Sequence, residues 1–371
     1  MFRMKDTGPV LLIDMGSASV GIALVEPNKA GVPVISKVRR EEFENTSGMN
    51  TPALTELATA ALRRCLAGAG SSYSAPREAH VVLAAPWYKA SISLINSETE
   101  RPVRITEGTI EKALESYKRK NLASAPGRRM IESMATQTYV NGYATTVGKP
   151  LAGSTLAVDY YESEADTPFL AAIENELRKA FPGAAVSFHS FLFEAFAVLR
   201  AVRDETGFVL LDIGGEITDA AIVRRGGFSF VGSFPYGALS FVRSVADGLH
   251  GTFADAASRA TLFTKGELST EESSSFREVF LKAASEWDSG YRRLLESASL
   301  EMPVPHTTLI IADKEPLDWF EHILSDSDAP FPVHPTLIVP DFFKNAVLLG
   351  QEGNYDAFLS IAALYALSVR R

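Results

Sequence analysis

The sequence predicts an α/β fold of two related halves, the first carrying a smaller α+β insertion. Two acid-ended apolar runs, LLIDMGSASVGIALV (Leu11 to Val25) and FVLLDIGGEITDAAIV (Phe208 to Val223), each read as strand, tight turn, strand. In both, an Asp closes the run (Asp14, Asp212) and a Gly follows two residues later (Gly16, Gly214). Around both, strand patterns alternate with amphipathic helix patterns, the signature of an α/β architecture.

The first hairpin continues through Gly31 to Phe43, where Val34, Ile35 and Val38 extend a strand. Thr51 to Leu66 reads as an amphipathic helix with Leu54, Leu57, Ala58, Ala61, Leu62 and Cys65 on one face. Gly68 to Glu78 is a loop by composition, and Ala79 to Trp87 a buried strand. From Lys89 to about Ser163 a strand (Ala90 to Ile95), a helix (Thr109 to Arg119) and two further strands (Met134 to Tyr143, Thr155 to Tyr161) form the insertion. Thr167 to Phe181 returns to helix. The second half adds a glycine turn at Gly226 and Gly227, helices at Phe241 to Leu249, Phe253 to Leu262 and Phe276 to Leu300, a strand-turn-helix at His306 to Leu324, and a last helix from Tyr355 to Val369 before Arg370 and Arg371. The expected boundaries are 1–88 and 166–205 for the first half, 89–165 for the insertion and 206–371 for the second half.

A chain of 371 residues that is 46% hydrophobic and 22% charged has material for two cores. Its net charge of −9 and the lack of a basic stripe exclude nucleic acid as a partner class, because binding there is driven by clustered Lys and Arg. The one cysteine, Cys65, reads as a helix core residue. The N-terminus is too short in apolar residues for a signal peptide, and the longest apolar run, Phe191 to Val202, is broken by Glu194 and Arg200. A cytoplasmic protein is expected. His80, His189, His250, His306, His322 and His334 are scattered without ligand spacing, so zinc is not expected.

A hairpin turn made of Gly, Ser and Thr lets backbone N–H groups approach an anion. An Asp at the strand end repels phosphate but can hold Mg²⁺ beside it. Two such turns facing one another predict a nucleotide between the halves.

The paired hairpins resemble the phosphate-1 and phosphate-2 motifs of the actin, sugar-kinase and seventy-kilodalton chaperone superfamily. RRMIESMATQTYVNGYATTVGKPLAGSTLAVDYYES (Arg128 to Ser163) is similar to the small subdomain of the bacterial FtsA type, with Gln137, Tyr139, Gly142, Pro150 and Gly153 in the expected order. HSFLFEAFAVLRAV (His189 to Val202) and SFPYGALSFVRSVADGL (Ser233 to Leu249) are similar to the segments flanking phosphate-2, and PilM, the related pilus-assembly protein, is the nearest competitor. The resemblance spans roughly Val10 to Ala260 and implies an actin-like, ribonuclease-H-like duplicated fold with an FtsA-type insertion subdomain. It implies ATP and Mg²⁺ as ligands, with Asp14, Gly16, Ser17, Ala18, Asp212, Gly214, Gly215, Glu216 and Thr218 around them and Asp14 and Asp212 on the metal. It implies Glu194 as the residue orienting an attacking water, at most a slow ATPase, and a scaffold at the division septum or in pilus or secretion assembly. A degenerate scaffold that binds no ATP, or a small-molecule kinase, is a further alternative of the same superfamily. The implied partners are a second copy in a filament, the tubulin-like division ring protein, or a pilus inner-membrane protein.

Four departures qualify the resemblance. Ser19 stands where the FtsA type carries a basic residue, and Glu216 where the third glycine of phosphate-2 falls. Ala312 to Pro316 replaces the glycine pair that lies against adenosine, so Cβ atoms crowd the base. The chain stops at its last core helix, so the membrane is expected to be reached only indirectly, through partners.

Overall fold

The fold is taken from a computed structural model describing residues 8–43, 51–67, 69, 75–121, 125–145, 151–203, 205–299, 303–325, 334–354 and 356–369. Most of the expected loop from Gly68, together with Pro150, Leu300, Tyr355, Arg370 and Arg371, lies outside the described residues.

The chain opens with β1 (Val10–Met15), β2 (Ser19–Pro27) and β3 (Pro33–Glu42), then α1 (Thr51–Ala67) and β4 (Glu78–Leu83). The insertion comprises β5 (Tyr88–Ile105), α2 (Glu107–Asn121), β6 (Arg128–Val140), β7 (Tyr143–Thr145) and β8 (Leu151–Asp166). Next come α3 (Thr167–Ala180), β9 (Ala185–Ser190) and α4 (Phe191–Val202). The second half holds β10 (Phe208–Ile213), β11 (Thr218–Arg224), β12 (Gly227–Phe234), α5 (Ala238–Leu249), α6 (Phe253–Thr264), α7 (Thr270–Ser299), β13 (Thr307–Ala312), α8 (Lys314–Ser325) and β14 (His334–Leu337). A 3₁₀ turn at Pro340–Phe343, β15 (Leu348–Leu349) and α9 (Ala357–Ser368) follow.

The sheets carry the duplication. One has the strand order β15-β3-β2-β1-β4-β9 and the other β12-β11-β10-β13-β14. In each, an antiparallel three-strand meander is extended on its first strand by two parallel strands: β1·β4·β9 in one, β10·β13·β14 in the other. The phosphate-type hairpins repeat to the residue, since Met15 pairs with Val20 and Ile213 with Thr218, leaving four-residue turns. The N–H of Gly16 donates to Ser19 O and that of Gly214 to Ile217 O, both at 3.0 Å.

β10 shows why these strands read as unbroken apolar runs. Phe208 and Leu210 enter the core of the first half, while Val209, Leu211 and Ile213 enter that of the second. A strand covered on both faces gains nothing from polar alternation. The intervening layer is α4 and α9, and α9 is apolar all round because both of its sides are covered.

The C-terminal segment departs from the expected assignment of all of 206–371 to the second half. β15 pairs with β3, and Phe343, Val347 and the buried residues of α9 join the core of the first half. The chain therefore returns to the first sheet after completing the second, a connection that strand and helix patterns do not encode. The insertion is a separate sheet, β5-β8-β6-β7, closed on one face by α2 around Ile95, Ile105, Ile110, Leu156, Val158 and Tyr160. Its strands run longer than expected, because β5 and β8 continue together past a bulge at Glu98 to Val103.

Candidate functional site between the halves

The two turns meet face to face. Ser17 Oγ accepts the N–H of Glu216 at 3.1 Å, and a Cβ on Gly215 would lie 2.6 Å from Ala18 Cβ. A Cβ on Gly214 would lie 3.3 Å from Ser17 Oγ. The structure thus brings the turn of Gly16, Ser17 and Ala18 and the turn of Gly214, Gly215 and Glu216 into direct contact.

The turns are also held from behind. Trp87 Nε1 donates to Gly16 O at 2.9 Å. The first N–H groups of α5, from Ala238 and Leu239, donate to Gly214 O and Gly215 O at 2.9 and 2.8 Å. These helix N-terminal donors would otherwise be open to an anion. Gly237 permits the approach, since a Cβ there would lie 2.3 Å from Gly214 O.

Asp14 is neutralised by a side chain. Arg40 Nη2 donates to Asp14 Oδ2 at 2.9 Å and to Asp356 Oδ2 at 2.6 Å, while Nη1 donates to Ser19 Oγ at 2.7 Å. The register explains this reach. Asp14 is opposite Gly21 on β2, and Gly21 is opposite Arg40 on β3, so the three lie in one row across the sheet. A Cβ on Gly21 would come within 2.8 Å of the guanidinium. The basic charge missing at Ser19 is therefore supplied from β3.

The charges are mutually dependent. Burial works against the Arg40 charge, but Asp356, Asp14 and Asp313 outweigh it and hold the guanidinium above its ordinary pKa. Burial pushes Asp14 up to about 6 against the pull of Arg40. Asp356 also caps α9, accepting the N–H of Leu359 at 3.0 Å, so Arg40 ties β1 and β3 to that helix.

Asp212 is set differently. Burial, with Asp219, Asp14 and Asp313 nearby, drives its pKa well above the usual carboxylate range, and Oδ1 makes no hydrogen bond among the described residues. Across the hairpin Asp219 accepts from Tyr88 Oη at 2.7 Å, joining the start of the insertion to the second half. Thr218 is fully buried, its hydroxyl donating to Tyr236 O at 2.7 Å and accepting from Trp287 Nε1 at 3.0 Å. It therefore faces the core of the second half and not the gap between the turns. Glu216 points to α5, bound by both Nη atoms of Arg243 and by Ser240 Oγ at 3.1 Å.

Glu194, implied by the resemblance as the residue orienting an attacking water, is wholly buried with Oε1 2.5 Å from His80 Nε2. It is turned toward the β4–β9 side of the sheet by its place in the first turn of α4. The histidines are not all scattered either. His80 and His189 stack at 4.1 Å, because β4 and β9 run in parallel and set the two rings on one sheet face.

A cavity of about 620 Å³ opens beside the turns, lined by Ser19, Arg40, Phe43, Leu239, Phe253 and Lys314 among others. Asp313, Lys314, Glu315 and Pro316 line it where glycines were expected, the last three opening α8. Mg²⁺ with a triphosphate does not fit the arrangement: the turns fill the phosphate gap, Asp14 is engaged by Arg40, and Glu216 and Ser17 are hydrogen-bonded. Arg40 is the site residue that the sequence reading missed. The available signal was Gly21, a lone glycine inside a strand, which marks close approach by a neighbour.

No protein-family model and no curated protein sequence matches the chain. Among solved structures, the chain is similar to a PilM-PilN type IV pilus biogenesis complex at 15% identity and a TM-score of 0.63, covering 96% of this chain and 99% of that one. The ethanolamine utilization protein EutJ from Carboxydothermus hydrogenoformans (12% identity, TM-score 0.46, 96% and 90% covered) and ADP-bound MreB5 of Spiroplasma citri (12%, 0.43, 98% and 98%) also match. At these identities the likeness is one of fold, and the fold of this chain is actin-like.

Proposed function

We propose that this chain is an actin-fold scaffold whose halves are joined by its own side chains where relatives of the fold use a nucleotide, and that it works as an adaptor of the PilM kind in pilus or secretion assembly. The observation carrying the first part is Arg40 seated among Asp14, Asp356 and Ser19, a fixed cation where Mg²⁺ is expected. Direct contact between Ser17 and Glu216 supports it, since these groups occupy the gap between the turns. The adaptor role is supported by the near-complete coverage of a chain from a PilM-PilN complex at a TM-score of 0.63, against the division role that the FtsA-type resemblance implies. Among the described residues no helix is long and apolar enough to cross a membrane.

Calorimetric titration with ATP, with and without Mg²⁺, beside Asp212→Ala, tests the first part. No heat at millimolar ATP is expected, and Mg²⁺-dependent binding lost in the variant would overturn it. Affinity capture with crosslinking from the native host tests the second. A pilus or secretion component is expected, and recovery of division proteins instead would replace this reading with the FtsA-type one.

A further inference from the structure

Behind the first sheet lies a buried cluster that the turn chemistry does not use. His80 (β4) and His189 (β9) stack with their planes 16° apart, and Glu194 (α4) closes over them with Oε1 2.5 Å from His80 Nε2. One ligand atom from each of the three lies within 4.8 Å of the others. Glu132 stands behind His189, its Oε1 3.4 Å from Nδ1, while its Oε2 accepts from Ser163 Oγ at 2.9 Å and from Ser190. Ser187 Oγ stands 3.5 Å from His80 Nδ1.

Among the described residues Glu194 Oε2 makes no hydrogen bond, and neither do His189 Nδ1 and Glu132 Oε1, which face one another at 3.4 Å without hydrogen-bond geometry. Glu194 is 0% exposed and Glu132 6%. Burying a carboxylate with an unsatisfied oxygen is costly, and two beside stacked imidazoles call for a positive charge. No Lys or Arg ion pair to either glutamate occurs among the described residues.

The geometry points to a divalent transition-metal site, best suited to Zn²⁺, formed by His80, His189 and Glu194, with Glu132 and Ser187 orienting the imidazoles. Two imidazoles and a carboxylate are a borderline-soft set that suits zinc and disfavours Mg²⁺ or Ca²⁺. His80 Nδ1 faces Ser187 Oγ, which leaves His80 Nε2, the atom beside Glu194, for the metal, and Glu132 Oε1 stands against the His189 ring. Tetrahedral bonds of about 2.0–2.1 Å separate ligand atoms by about 3.3 Å. The His80–Glu194 pair therefore opens by somewhat under 1 Å, the widest separation closes by somewhat more, and the two rings swing out of their stack, since an imidazole lone pair lies in its ring plane and must point at the ion. His189, whose side chain is 16% exposed, is the edge through which an ion enters. The ion's role is structural: it pins β4, β9 and α4, the elements that carry the first half behind the turns.

The test uses the intact chain. It is stripped with a chelator, titrated with Zn²⁺ and Co²⁺, and compared with His189→Gln and Glu194→Gln, with His322→Gln as the distant control. One equivalent of metal, a tetrahedral Co²⁺ visible spectrum, a melting temperature raised by Zn²⁺, and affinity at least tenfold weaker in both cluster variants but not in the control are expected. A chain that takes up no stoichiometric metal, with no Co²⁺ spectrum and unchanged melting, overturns the proposal without reference to any variant. Metal uptake equal in wild type and both cluster variants overturns it as well.

Discussion

Arg40 reaches Asp14 across a missing side chain: its Nη2 lies 2.9 Å from Asp14 Oδ2, over Gly21 on the intervening strand. Removing one partner of a buried ion pair leaves an uncompensated charge, which costs about 3–5 kcal/mol. Arg40→Ala is expected to lose stability in that range, and Gly21→Ala to lose roughly 1–3 kcal/mol by displacing a guanidinium held by three partners. Urea unfolding of both and of the double variant measures the coupling. Additive losses would show that Gly21 does not act through Arg40.

The contact between Gly215 and Ala18 sets how closely the halves approach. Gly215→Ala places a Cβ 2.6 Å from Ala18 Cβ and 3.1 Å from Leu239 Cδ1, so the turns must separate. The expected result is a loss of roughly 1–3 kcal/mol and a larger radius of gyration by small-angle scattering. Adding Ala18→Gly recovers part of both, because it removes the nearest of the clashing atoms.

Asp219 makes stability depend on pH. Burial raises it from 3.8 to about 7, with the Tyr88 hydrogen bond pulling the other way. Between those values the folded chain keeps a proton that the unfolded chain has released. This contribution to stability is therefore complete below 3.8 and lost as pH rises to about 7. Unfolding free energy is expected to fall by up to roughly 1.4 kcal/mol per pH unit within that window. Asp219→Asn flattens that part of the profile in urea melts, and an unchanged slope would assign it to another group.

Glu216 is not what closes the phosphate gap. Its carboxylate is turned to Arg243, and the gap is filled by the Ser17 hydroxyl and the backbone of both turns. Restoring a glycine with Glu216→Gly is therefore expected to leave Mg·ATP binding undetectable by calorimetry and to cost under about 1 kcal/mol, as for other partly exposed ion pairs. Millimolar or tighter binding gained by this one change would place the block at Glu216 after all.

The sequence by itself determined what is local and periodic. The hairpins at Asp14 and Asp212 were legible because glycine turns and apolar strands have short-range signatures, and their repetition marked the duplicated α/β fold. Helix faces such as Leu54, Ala58, Leu62 and Cys65 were legible for the same reason, and all four are buried. What those turns face is a matter of long-range packing. Whether Gly215 meets a phosphate or Ala18 depends on how two sheets 200 residues apart in the chain approach one another, and no local pattern carries that distance. The same holds for Arg40, which reaches Asp14 and Asp356 only through cross-strand register and the return of α9 to the first sheet. His80 and His189 likewise look scattered until a parallel strand pairing stacks them, because such a pairing joins residues separated by an entire insertion.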